Sequence, residues 1–132
     1  MRRAILEHLR IDLIFTFSEI VQILKPGGVI LLSTPNLKSL KGLVNYLFRN
    51  RAYSCAGNVF EEYSKLGKFG HMGHVREYTP QEIVDFARHF RMRCESIIYR
   101  GCYEQTTMNA LGFAMSQLRP FQMLVLRKPV SA

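Results

Sequence analysis

The 132-residue sequence predicts a single small α/β domain. Three observations carry that expectation. Segments with apolar residues at three- and four-residue spacing alternate with short aliphatic and β-branched runs, the pattern of helices alternating with strands. The joins are punctuated by Pro26-Gly27-Gly28, Thr34-Pro35 and Thr79-Pro80. One run, Val29-Ile30-Leu31-Leu32, is apolar without a break, as in a strand covered by helices on both faces.

The first helix is expected over residues 12–24, where Leu13, Phe17, Ile20 and Leu24 share one face. Pro26-Gly27-Gly28 ends it, because glycine accepts the left-handed cap and proline cannot continue the helix. A strand follows over 29–33. Thr34-Pro35 closes it, since the residue before proline stays extended and proline has no N–H for the ladder. Residues 39–48 predict a second helix with Leu40, Leu43, Val44, Leu47 and Phe48 on one side. The stretch 50–75 holds Gly57, Gly67, Gly70 and Gly73 and shows no period, so it is expected to be an irregular loop, functional or mobile. Thr79-Pro80-Gln81-Glu82 is the strongest local signal: a threonine cap, proline at the first helical position, and a glutamate completing a capping box. Ile83, Phe86, Ala87 and Phe90 then form a core face. Residues 92–99 read as a strand. Residues 105–118 read as a helix with Met108, Leu111, Met115 and Leu118 inward, and Phe121–Arg127 as the last strand. Three strands are legible.

A composition of 48% hydrophobic and 21% charged residues belongs to a chain with a core and not to a disordered one. No apolar run approaches the roughly 20 residues that span a bilayer. Residues 1–8 start basic but hold no long apolar stretch, so a signal peptide is not expected. Cys55, Cys94 and Cys102 are odd in number and lack the close pairs of a zinc site or disulfide framework, which makes a reducing cytoplasm the default. The net charge of +8 suits nucleic acid, an acidic membrane or an anionic substrate. The basic residues are scattered, however, and no recognition helix or aromatic RNA-binding motif accompanies them, so nucleic acid is not the expected partner.

Four segments in order carry a family likeness: Leu6-Glu7-His8-Leu9; a helix leading into Leu24-Lys25-Pro26-Gly27-Gly28; the strand with Thr34-Pro35-Asn36; and His74-x-Arg76-Glu77-Tyr78-Thr79 before a capped helix. From about Ile5 to Lys128 the chain resembles the second half of a Rossmann-like S-adenosylmethionine-dependent methyltransferase. The resemblance implies an incomplete sheet. The family has seven strands in the order 3-2-1-4-5-7-6, with strand 7 antiparallel. Residues 29–33, 92–99 and 121–127 would be strands 5, 6 and 7, residues 6–9 would follow strand 4, and strands 1 to 4 would be missing. The domain would then be a partial one spanning 1–132, with a lid or insert at 37–75. The family's cofactor half, a glycine-rich turn after strand 1 and an acidic residue ending strand 2, has no counterpart here. Gly67-x-x-Gly70-x-x-Gly73 has the wrong spacing and no strand before it. S-adenosylmethionine is therefore the implied cofactor of a complete enzyme, with weak or no binding by this chain.

The resemblance also nominates residues. Glu7 and His8 fall where cofactor and acceptor meet, with Leu6 and Glu7 on the cofactor side. A similar Leu-Glu-His motif in a quinone-precursor-methylating branch supplies metal ligands or a base. The alternative is that Glu7 orients the loop and His8 caps the next helix. Asn36 either hydrogen-bonds an acceptor or makes an Asx turn. His74 is a candidate base, and Arg76 and Tyr78 candidate acceptor contacts, unless Arg76 simply pairs with Glu77 or Glu82. His71 and His74 lack a third ligand, so no metal is assigned. Leu43, Leu47, Phe48, Tyr53 and Phe60 interleave with Lys41, Arg49 and Arg51, and are either core or a basic lid for a lipid-like acceptor, with peripheral membrane contact. Two functional expectations stand together: a methyltransferase C-terminal part with a small-molecule or lipid-like acceptor, or a non-catalytic half-domain. A strand-5 edge without strand 4 would recruit a homodimer, a domain swap or a separate N-terminal half.

Overall fold

The computed structural model describes residues 2–4, 12–69 and 76–130. The elements run β1 (Arg2–Ala4), α1 (Leu13–Ile23), β2 (Val29–Pro35), α2 (Leu40–Arg49), α3 (Val59–Phe69), α4 (Pro80–His89), β3 (Arg93–Arg100), α5 (Thr106–Ala114), a 3-10 turn (Ser116–Leu118) and β4 (Phe121–Arg127). The fold is α/β.

Local chemistry sets the helix ends. Asp12 caps α1 by accepting the Ile14 N–H at 2.9 Å. At the other end the Lys128 ammonium donates to the carbonyls of Val21 and Leu24, both at 2.8 Å, groups that a helix C-terminus leaves unpaired. Gly27 turns the chain with φ +76°, and its N–H donates to Lys128 O at 2.9 Å. The turn is thus pinned to the end of β4. Thr79 and Glu82 form the expected capping box on α4.

The sheet order is β1-β2-β4-β3. β2, β4 and β3 form an antiparallel set, and β1 adds in parallel beside β2, with Arg2–Ala4 opposite Ile30–Leu32. This corrects the expectation of three strands and of an unpaired β2 edge. Arg2-Arg3-Ala4 is below the four-residue window in which strand pattern is readable, and it has no β-branched residue.

Ile30 lies opposite Leu126, and Leu32 opposite Leu124. On this face Phe17 of α1 and Ile83 and Ala87 of α4 close the core. The Phe17 ring meets those of Phe86 and Phe90 at centroid distances of 5.2 and 4.9 Å. The faces read for α1 and α4 are therefore the buried ones. β2 alternates in burial, with Val29, Leu31 and Ser33 only half-buried, so the coverage expected on both faces is complete on one.

Three further expectations change. Residues 50–75 contain a helix, α3, begun by Asn58, whose side chain accepts the Glu61 N–H at 2.9 Å. The helix expected over 105–118 stops at Ala114, and Leu111 and Met115 are about half exposed, not inward. On α2, Val44, Leu47 and Phe48 face outward. No helix among the described residues is long and apolar enough to cross a membrane.

Candidate functional site

Three of the sequence-predicted residues, Asn36, Arg76 and Tyr78, lie near one another at the carboxyl end of β2. The strand exits through Pro35 into Asn36, which forms a parallel bridge with Tyr78. Asn36 is fully buried. Its Nδ2 donates to Gln117 O at 2.8 Å and Arg119 O at 2.9 Å, while its Oδ1 accepts the Lys38 N–H at 3.1 Å. The Asx-turn alternative is the one present. The amide knits the β2 exit to the segment ahead of β4 and has no donor left for an acceptor molecule.

Tyr78 is held through its backbone. Its carbonyl accepts the Leu37 N–H at 3.3 Å and Gln122 Nε2 at 2.7 Å. The Arg76 guanidinium lies over the Tyr78 ring, 5.1 Å from its centroid, and pairs with Glu82 at 3.0 Å. Burial alone would push the Glu82 carboxyl up; the Thr79 N–H and hydroxyl and the Arg76 guanidinium outweigh it and hold that group below its ordinary value of 4.5. Arg76 is thus the ion-pair partner of a helix cap. Leu6, Glu7, His8 and His74 lie outside the described residues.

Two clefts open beside this junction. The first, about 630 Å³, runs between α2 and the segment 102–108. Leu40, Val44 and Met108 give it an apolar wall, and Lys41 and Arg49 add two cations. Tyr103 fixes the α2 end of that wall: its hydroxyl accepts the Leu40 N–H at 3.0 Å and donates to Leu118 O. Ser39 caps α2 by accepting the Gly42 N–H at 3.2 Å. The thiols of Cys55 and Cys102 also line this cleft, unbonded to one another.

The second cleft, about 580 Å³, is lined by Arg51, Tyr53, Asn58, Arg76 and Glu77 among others. Glu77 holds the wall between the two clefts. It is buried, and one carboxylate oxygen accepts the Ser54 N–H at 2.6 Å and the Ser54 hydroxyl. The other accepts the N–H groups of Cys55 at 2.8 Å and Ala56 at 3.1 Å. In sequence Glu77 showed only as a possible partner of Arg76. Nothing local signals a clamp on residues 21 to 23 positions away.

Thr34 Oγ1 and Gln122 Oε1, opposite one another in the β2–β4 ladder and fully buried, have no hydrogen-bond partner among the described residues. Nor do three His, Cys, Asp or Glu side chains gather among them as a metal site. The first cleft thus sets an apolar wall beside two cations. No protein-family model matches the chain, and no curated protein matches it.

Proposed function

We propose that this chain is the C-terminal part of a Rossmann-like S-adenosylmethionine-dependent methyltransferase and carries the acceptor side of its cleft. The supporting observation is the sheet order. β2, β4 and β3, with β4 antiparallel to both neighbours, repeat the order 5-7-6, and β1 stands parallel beside β2 in the place of strand 4. Glu7 and His8 then follow strand 4 in the chain, as in the family the sequence resembles.

The residues described do not supply that family's glycine turn. Gly67 lies inside α3, so the glycine series does not follow a strand. No cofactor contact is assigned to them. Methyl transfer from a sulfonium needs alignment and exclusion of water more than acid–base machinery. The first cleft offers the first of these: Leu40, Val44 and Met108 to receive an apolar acceptor, and Lys41 and Arg49 to orient an anionic group on it.

The test is to read the DNA in frame upstream of the Met1 codon, express the extended chain, and titrate it with S-adenosylmethionine by calorimetry beside the 132-residue chain. An extended chain that binds, with little or no binding by the shorter one, is the expected result. A stop codon close upstream, or an extended chain that does not bind, overturns the reading.

A second reading rests on α1. Ile14, Phe15 and Ile23 of this helix are each more than half exposed, while Phe17 is buried. Such a surface suits a non-catalytic module that docks with a second copy or an N-terminal half. A monomer by light scattering at high concentration counts against it.

A further inference from the structure

The ends of α2 and α3 carry large apolar side chains that nothing among the described residues covers. Leu47 is 70% exposed, Phe48 82% and Phe60 81%, and Val59 and Tyr63 are at least half exposed. They are held out by specific contacts. Asn50 takes the left-handed conformation, φ +52°, and reverses the chain after α2. Asn45 accepts the Arg51 N–H at 3.0 Å and donates to Tyr53 O at 2.8 Å, and the Glu77 clamp fixes the next three residues. Asn50, Arg51 and Val59 line the same cleft, so the end of α2 and the start of α3 meet there.

The charge around these residues is one-sided. Residues 40–69 hold Lys41, Arg49, Arg51, Lys65 and Lys68 against Glu61 and Glu62. Glu62 is taken by Lys65 at 2.8 Å. Lys41, Arg49, Arg51 and Lys68 are exposed and have no carboxylate partner among the described residues. We propose that this surface docks on an anionic phospholipid bilayer, the aromatic rings entering the acyl boundary and the cations meeting the headgroups. Charge selects this occupant over a second copy of the chain, which would bring the same cations face to face. The inference stands on the exposed residues and does not require the methyltransferase reading.

The chain has no tryptophan, so a single one reports its own surroundings. Phe48→Trp, Phe60→Trp and, as a control on α5, Phe113→Trp are titrated with phosphatidylcholine vesicles containing or lacking about one-third phosphatidylglycerol. The expected result is a blue shift for the first two on anionic vesicles, none for Phe113→Trp, and loss of binding at about 1 M salt, where screening shortens to about 3 Å. Co-sedimentation of Phe48→Ser/Phe60→Ser should fall about tenfold with an unchanged circular dichroism spectrum. Equal shifts at all three positions, equal binding to neutral vesicles, or no binding to anionic ones overturns the proposal. A lipid-free dimer dispersed by the same double substitution reassigns the surface to self-association and overturns it as well.

Discussion

Replacing Glu77 by alanine should loosen the wall between the two clefts and lower the stability of the whole chain. Four donors converge on this carboxylate: the N–H groups of Ser54, Cys55 and Ala56 and the Ser54 hydroxyl. Ser54 is 2% exposed, so its two donors find no water when the acceptor is lost. Cys55 is exposed and Ala56 half-buried, and solvent can replace their bonds. Hydrogen bonds to a charged group are each worth about 1.5–3 kcal/mol, while removing the carboxylate also relieves its own desolvation cost. With two orphaned donors outweighing that relief, the expected net loss is about 2–4 kcal/mol. At this chain length that lowers the melting temperature by roughly 10 °C. Glu77→Gln keeps one carbonyl oxygen but turns an NH₂ toward donors, and should fall between the two. Urea and thermal unfolding followed by circular dichroism measure the loss, and hydrogen exchange at the Ser54 amide locates it. Glu77→Ala within about 0.5 kcal/mol of the parent, with unchanged Ser54 exchange, would refute the clamp.

Gly42→Ala should destabilise despite the roughly 1 kcal/mol by which alanine is favoured inside helices. Its Cβ would stand 2.0 Å from Leu37 O, a backbone atom, so α2 must shift; unfolding and loss of the Tyr103–Leu40 contact by NMR check this. Phe17→Ala empties the centre of the α1–α4 ring cluster and should cost about 3–5 kcal/mol in urea unfolding. Arg76→Ala should raise the Glu82 carboxyl toward 4.5, read by carboxyl-carbon NMR titration. Because the folded-state value is lowered, the Glu82 contribution is present above the unfolded value and is lost as pH falls through the folded one. The variant should lose less stability than the parent across that acid range.

The parts of the fold legible in sequence are those set by neighbours in the chain. Thr79, Pro80 and Glu82 act within four residues and form the box their chemistry dictates, whereas Pro26-Gly27-Gly28 makes a turn and not the expected helix cap: α1 ends at Ile23 with an extended Leu24, and the left-handed Gly27 lies beyond it. α3 was hidden by Gly67 within it and the glycines on either side, although Asn58 followed by Glu61 and Glu62 is a cap with an acidic first turn and was readable. The candidate site was less legible because its bonds are long-range. Asn36 joins Gln117, Glu77 joins Ser54 and Gln122 joins Tyr78, and neither partner of any pair marks the other in sequence.

The helices make the same point about what a pattern contains. α1 and α2 both repeat apolar residues at helical spacing, yet Phe17 is buried while Leu47 and Phe48 stand in solvent. Period reports only that one side of a helix is apolar. Burial needs a second element, and here β2 and β4 supply it for α1 and α4 through Ile30, Leu32, Leu124 and Leu126. Among the described residues nothing equivalent lies over the outer side of α2, whose N-terminus is fixed by Ser39 and Tyr103 and whose C-terminus is fixed by Asn45. Those polar contacts fix both ends of that helix. An apolar face aimed outward beside exposed cations is the observation on which the proposed docking to an anionic bilayer rests.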